Sequence, residues 1–155
     1  MISKLYSKSR ARARRLKLGA RGKKVVFTNG CFDLIHSGHA IYLDKARQMG
    51  DFLVVGLNSD KSVRRLKGPG RPIMNFKERA ILLSYLSPVD MVVGFDDDTP
   101  LDLIKYLRPD ILAKGADYKI SEIVGATEVK RWGGKVRRIS LVKGKSSSNL
   151  IKKIK

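Results

Sequence analysis

Residues 25–39 read Val-Val-Phe-Thr-Asn-Gly-Cys-Phe-Asp-Leu-Ile-His-Ser-Gly-His, and this stretch decides the fold. Val25, Val26 and Phe27 form an apolar β-run that ends in a turn at Gly30. Two histidines three apart, His36 and His39, then flank Gly38. A helix starts there, with Ala40, Leu43, Ala46 and Arg47 at helical spacing. Strand, glycine turn and helix start together make a phosphate cradle. Free backbone N–H groups converge, the helix dipole is positive, and no bulky side chain bars an anion. Two imidazoles at that point add donors that can follow charge building on phosphate oxygens. The stretch predicts a nucleotide site that performs transfer chemistry.

Outward from it, strand-like and helix-like segments alternate. Residues 25–28 predict a strand, 39–49 a helix stopped by Gly50, and 52–57 a second strand. Residues 59–66 predict a short helix with a Ser/Asp cap. Lys67 to Pro72 (Lys-Gly-Pro-Gly-Arg-Pro) is too rich in glycine and proline for anything but a loop. Asn75 and Glu78 predict a capping box for a helix through Leu86. Residues 89–93 give the next strand. Thr99 is expected to cap a helix with Pro100 at its first position. Asp96, Asp97 and Asp98 are expected to decorate that helix start and not to bind metal. Strands at 111–113 and 136–141 flank a helix at 122–132 closed by Gly133, and a short helix ends the chain at 149–154. The pattern is α/β: a three-layer parallel sheet of about five strands with helices on both faces. Ligands bind such sheets beyond the carboxyl ends of the strands, at the switch point of strand order. Loops 29–38, 58–60, 114–118 and 143–148 should converge there.

At 155 residues, with 43% hydrophobic content, the chain fits one folded domain and not a disordered one. No apolar run reaches bilayer length and no signal-peptide core is present. A lone Cys31 rules out an internal disulfide and suits a reducing cytoplasm, so a cytoplasmic, non-membrane protein is expected. The net charge is +19, and residues 1–24 hold ten cations and no acid. Over half of the excess charge therefore lies outside the candidate site. A solvated basic helix packed through Leu5, Leu16 and Leu18 is preferred over an RNA-binding arm. The division expected is a basic, helical segment over 1–24 and a catalytic domain over 25–155.

Thr28 to His39, with its His36-Ser37-Gly38-His39 core, resembles the HxGH signature of the cytidylyltransferase-like nucleotidyltransferases. The similarity continues through Asn58-Ser59-Asp60, through Lys67-Gly68-Pro69-Gly70-Arg71-Pro72, and through Lys114-Gly115-Ala116-Asp117-Tyr118. HxGH alone marks only the superfamily. The further segments resemble the branch acting on D-glycero-β-D-manno-heptose 1-phosphate in ADP-heptose synthesis for lipopolysaccharide. The chain is similar to the stand-alone form, without the kinase half of bifunctional members. Ala116 stands where the branch usually has glycine, and Ser146-Ser147-Ser148 replaces Ser-Thr-Thr but keeps the hydroxyls.

The resemblance implies a Rossmann-like fold and transfer of AMP from ATP, with Mg²⁺, to a sugar 1-phosphate. Related chemistry with CTP and glycerol phosphate, or with FMN as acceptor, shares the fold. The acceptor phosphate is already ionised at pH 7, so no general base is needed; positioning and charge neutralisation must do the work. His36, His39 and Lys67 are the expected catalytic residues. Nucleotide contacts are expected from Asn29, Gly30, Cys31, Phe32, Gly38, Asn58, Lys114, Gly115, Asp117 and Ser146–Ser148. Asp33, Arg65 and Lys67 are expected at the acceptor. No protein metal site is expected, because one cysteine and two histidines fall short of a four-ligand zinc set. Dimers are common in the family, which implies a homodimer.

Overall fold

A computed structural model describes residues 2–155. Six parallel strands form one sheet in the order β1-β4-β3-β2-β5-β6. They are β1 (Leu5–Tyr6), β2 (Val25–Gly30), β3 (Phe52–Asn58), β4 (Met91–Phe95), β5 (Ile111–Gly115) and β6 (Lys135–Ile139). Among the described residues six α-helices connect them, α1 (Lys8–Ala20), α2 (Ser37–Arg47), α3 (Asp60–Lys67), α4 (Phe76–Tyr85), α5 (Leu101–Leu107) and α6 (Ala126–Arg131), and α7 (Ser147–Ile154) follows β6.

The strands alternate their side chains between two cores, as a pleated sheet covered on both faces requires. Val25, Phe27, Val54 and Met91 pack under α1, α5 and α6 through Ala11, Leu18, Ile104, Leu107 and Val129. Val26, Leu53, Val55 and Leu57 pack under α2 and α4 through Leu43, Ala46, Ala80 and Leu83. The three-layer expectation holds, with one strand more than the five expected.

The extra strand is β1. Its two residues pair with Val92 and Val93, and the Val92 N–H donates to the Lys4 carbonyl at 2.8 Å. So short a strand leaves no periodic signature. The basic segment is thus woven into the domain: it adds an edge strand and a helix. Its arginines are largely spent on docking. Arg10 lies over Tyr6, Arg14 over Phe52, Arg12 donates to the Leu107 carbonyl, and Arg15 pairs with Asp110 at 3.0 Å. Leu18 is buried as expected, but Leu16 is 55% exposed and Ala11 takes its place in the core.

Other local expectations need correction. Pro100 is the N-cap of α5, without a side-chain cap from Thr99. The acidic turn does not decorate that helix. Asp96 accepts from Ser59, and Asp98 pairs with Arg65 at 2.7 Å, so the turn holds α3 instead. Asn75 caps α4 by accepting from the Glu78 N–H at 3.0 Å, half of the capping box expected. The helix expected over 122–132 is broken into a 3₁₀ turn (Ile120–Glu122) and α6. Gly125 separates them at φ 88°, the left-handed backbone that glycine adopts without strain.

The switch point lies at β2. From it the chain goes to β3 on one side, and later, through α5, to β5 on the other. Strands β2 and β5 pair only at Val26–Ile111 and Phe27–Leu112. Beyond that they part, and a crevice opens at their carboxyl ends.

Candidate active site

The crevice has a volume of about 570 Å³. Of the residues expected at the site, Asn29 to Asp33, His36, Gly38, His39, Asn58, Lys67, Lys114, Gly115, Asp117 and Ser146 to Ser148 line it. Arg65 does not. Its guanidinium turns to Asp98 and to the Asp96 carbonyl, which removes it from the acceptor set.

The two histidines form the start of α2 itself. His36 is the N-cap, and its Nδ1 accepts from the Gly38 N–H at 3.1 Å. His39 reaches back, its Nδ1 accepting from the His36 N–H at 3.4 Å. The rings stack with centroids 3.9 Å apart. Both Nδ1 atoms act as acceptors, so the neutral rings carry their protons on Nε2. Burial, and then the His36 ring, push His39 down to about 4. Burial and the nearby Lys145 ammonium lower His36 as well. Neutral imidazole is therefore the resting form of both. His36 Nε2 is buried and has no partner among the described residues. An unmatched donor in a crevice is costly, and a phosphate oxygen would satisfy it.

At the other lip, the Lys114 Nζ donates to Asn29 Oδ1 at 3.3 Å, bridging the parted ends of β5 and β2. Burial lowers the Lys114 ammonium, and the Asp117 carboxylate opposes that shift. Tyr42, deep beside them, bonds the Thr28 hydroxyl at 2.8 Å, and burial pushes its phenol up to about 12. Cys31 is a half-buried thiol pushed up by desolvation, unsuited to thiolate chemistry. Among the described residues no three His, Cys, Asp or Glu side chains gather as a metal-ligand set.

The serine run splits its duties. Ser146 caps α7 by accepting from the Asn149 N–H at 3.0 Å. Ser147 donates to the Leu34 carbonyl at 2.8 Å, tying α7 to the loop before His36. Ser148 is exposed and lines the crevice.

Asp33 is not open to a ligand as expected. Its fully buried carboxylate accepts from Arg71 Nε at 2.6 Å, from the Ile73 N–H at 2.8 Å and from the Met74 N–H at 3.0 Å. Burial alone would raise this acid, but the Met74, Ile73 and Arg71 donors outweigh it and hold it below its ordinary value.

Three contributors escape sequence reading. Arg71 and Lys145 sit in irregular loops, where no periodicity points their side chains inward. Arg79 falls on the buried face of α4 and is fully enclosed. It donates to the carbonyls of Cys31 (2.6 Å), Asn58 (2.9 Å) and Met74 (3.0 Å) and to Asp60 (2.7 Å). One guanidinium thus fixes four segments around the crevice. A helical pattern predicts an apolar residue there, so the arginine itself was the available signal.

The family pattern of the "Cytidylyltransferase-like" proteins matches residues 27–154, which includes every crevice element. The chain belongs to the cytidylyltransferase-like family. This cytidylyltransferase-like chain is 61% identical over 139 residues to "Bifunctional protein HldE" of Campylobacter curvus, covering 89% of the chain and 29% of that protein. It is 60% identical over 134 residues to the protein of the same name from Syntrophotalea carbinolica, covering 86% of the chain and 27% of the relative. The chain spans less than a third of the length of these curated relatives. Among solved structures it resembles a lipopolysaccharide core biosynthesis protein from Thermoplasma volcanium. The TM-score is 0.65 and the identity 28%, over 80% of this chain and all of the other. A pantothenate synthetase from Thermus thermophilus shares the fold alone, with TM-score 0.66 and 17% identity over 95% of this chain and 67% of the other.

Proposed function

We propose that this cytidylyltransferase-like protein is an adenylyltransferase that transfers AMP from ATP to D-glycero-β-D-manno-heptose 1-phosphate, releasing pyrophosphate. The observation that carries the reading is the stacked, neutral His36–His39 pair, with one Nε2–H buried and unpartnered, at the mouth of a crevice lined by Lys67 and Lys145. The heptose acceptor is supported by the Asn58-Ser59-Asp60, Lys-Gly-Pro-Gly-Arg-Pro and Lys-Gly-Ala-Asp-Tyr segments and by the likeness to a lipopolysaccharide core biosynthesis protein.

In this mechanism an ionised oxygen of the sugar phosphate attacks the α-phosphorus of ATP. The bond from that phosphorus to the bridging oxygen breaks, and pyrophosphate leaves. His36 and His39 donate Nε2–H bonds to phosphate oxygens as charge develops on them. A neutral donor does this without trapping the triphosphate as an ion pair would. Lys67 and Lys145 neutralise the remaining charge, and the amino end of α7 faces it with its free N–H groups. Asn29, Lys114 and Asp117 contact the nucleoside. Magnesium arrives with ATP as part of the substrate. Phosphate oxygens and water make up most of its shell, as is usual for this ion. Among the described residues no helix is long and apolar enough to cross a membrane, and an ATP-consuming reaction of this kind belongs in the cytoplasm.

Pyrophosphate release with ATP, Mg²⁺ and the heptose 1-phosphate tests the reading. CTP with glycerol 3-phosphate and ATP with FMN run in parallel. Release only in the first mixture supports the proposal; release only in another reassigns the substrates, and release in none rejects the transferase.

A further inference from the structure

Cations line the crevice at three places: Lys114 on β5, Lys145 in the loop before α7, and Lys67 with Arg71 at and just beyond the end of α3. Lys145 lies next to His36. Lys67 and Arg71 lie near Cys31. A reaction between two phosphate-bearing substrates needs two such places. We propose that Arg71, aimed by Asp33, grips the phosphate of the acceptor substrate. The inference rests on the transferase reading above and adds the residue that recognises the acceptor's phosphate monoester.

The geometry is specific. Arg71 spends its Nε on Asp33 at 2.6 Å, and among the described residues nothing accepts from its two Nη groups. They are not buried, yet the side chain is only 14% exposed, and it lines the crevice. A guanidinium held by Nε keeps its Nη edge free, and that planar edge matches two oxygens of a phosphate. The anchor is more than loop fastening, because the Ile73 and Met74 N–H groups already tie the segment to Asp33 without the arginine. The stretch before Arg71 has little else to hold it. Gly68 and Gly70 adopt φ of 92° and 84°, with no atom within 4 Å of where a Cβ would stand. Asp33 therefore decides where Arg71 points. It is a positioning residue, and its own carboxylate is spent on the loop.

Steady-state kinetics with each substrate varied in turn tests this on Arg71→Gln, Arg71→Lys and Asp33→Asn. Arg71→Gln should raise the acceptor KM by roughly 10- to 100-fold while the ATP KM stays within about twofold. Arg71→Lys, which keeps the charge and loses the fork, should fall between. Asp33→Asn should move the same constant, and should add little on top of Arg71→Gln because both act through one guanidinium. Calorimetric titration of a sugar 1-phosphate against the unphosphorylated sugar supplies a readout free of turnover. The phosphorylated sugar should bind the wild type, and Arg71→Gln should lose that binding at a temperature where circular dichroism shows it folded, its melting temperature lowered because buried Asp33 loses a partner. If glycerol 3-phosphate or FMN proves to be the acceptor, the heptose reading fails, and the same KM split measured with that phosphate still supports Arg71. A rise in the ATP KM instead, or unaltered binding of the phosphorylated ligand by Arg71→Gln, overturns the inference and leaves the transferase standing.

Discussion

His36 and His39 stack at 3.9 Å while each uses its Nδ1 on a backbone N–H of the same helix start. The capping role and the proposed catalytic role thus fall on the same two rings, the first on Nδ1 and the second on Nε2. Replacing either ring with alanine should lower kcat by about 10²-fold, the usual cost of one donor aimed at developing charge. The ATP dissociation constant should change little. Single-turnover kinetics beside equilibrium ATP binding separates the two; equal losses in both would make the histidines ground-state ligands only.

The same pair sets a pH dependence of stability. His39 titrates near 4 in the folded protein, against an ordinary value of 6.5. A depressed imidazole means that the unfolded chain binds more protons across that interval. Its contribution is therefore complete above about pH 6.5 and is lost as pH falls toward 4, at up to about 1.4 kcal/mol per pH unit. His36 shifts in the same direction. Urea unfolding at pH 7, 6, 5 and 4 should show the decline, and His39→Asn should flatten it.

Gly38 is where close approach demands glycine. A Cβ there would stand 2.9 Å from the His36 ring and 2.9 Å from the Lys145 Cβ. Gly38→Ala should displace both groups and lower kcat about tenfold or more, since a small misplacement of a catalytic group is expensive. The melting temperature should fall by only a few degrees. Unchanged kcat would show that the ring's position is not critical.

Arg79 should be the most sensitive position outside the crevice lining. Arg79→Met removes a buried charge together with its bonds to three carbonyls and leaves Asp60 without its partner. A loss of about 3–5 kcal/mol in denaturant unfolding is expected, with weakened ATP binding in whatever remains folded. Arg79→Lys should recover little, because a single ammonium has no fork to spread over four acceptors.

In the basic helix, two leucines two residues apart should behave oppositely. Leu18→Ala empties a core position and should cost about 2–4 kcal/mol. Leu16→Ser, at an exposed site, should stay within about 0.5 kcal/mol. Chemical denaturation of both variants checks the docking of α1.

The alternation of strands and helices, the parallel sheet, and the convergence of loops beyond β2 were all legible in the chain. Those features follow from local rules: apolar runs, helical spacing, caps and glycine turns act within a few residues of one another. The HxGH stretch was legible for the same reason, since the strand, the turn and both histidines lie on fifteen consecutive residues. Only the tertiary structure decided what distant side chains do. Asp33 turned from a ligand into the holder of Arg71, thirty-eight residues away. Arg65 left the site for the acidic turn, and Leu5 and Tyr6 became a strand only because β4 offered an open edge. An ionic or hydrogen-bonding side chain has many possible partners at similar energy. Which one it meets is set by how the packed apolar layers bring the chain together, and that information is spread over the whole sequence.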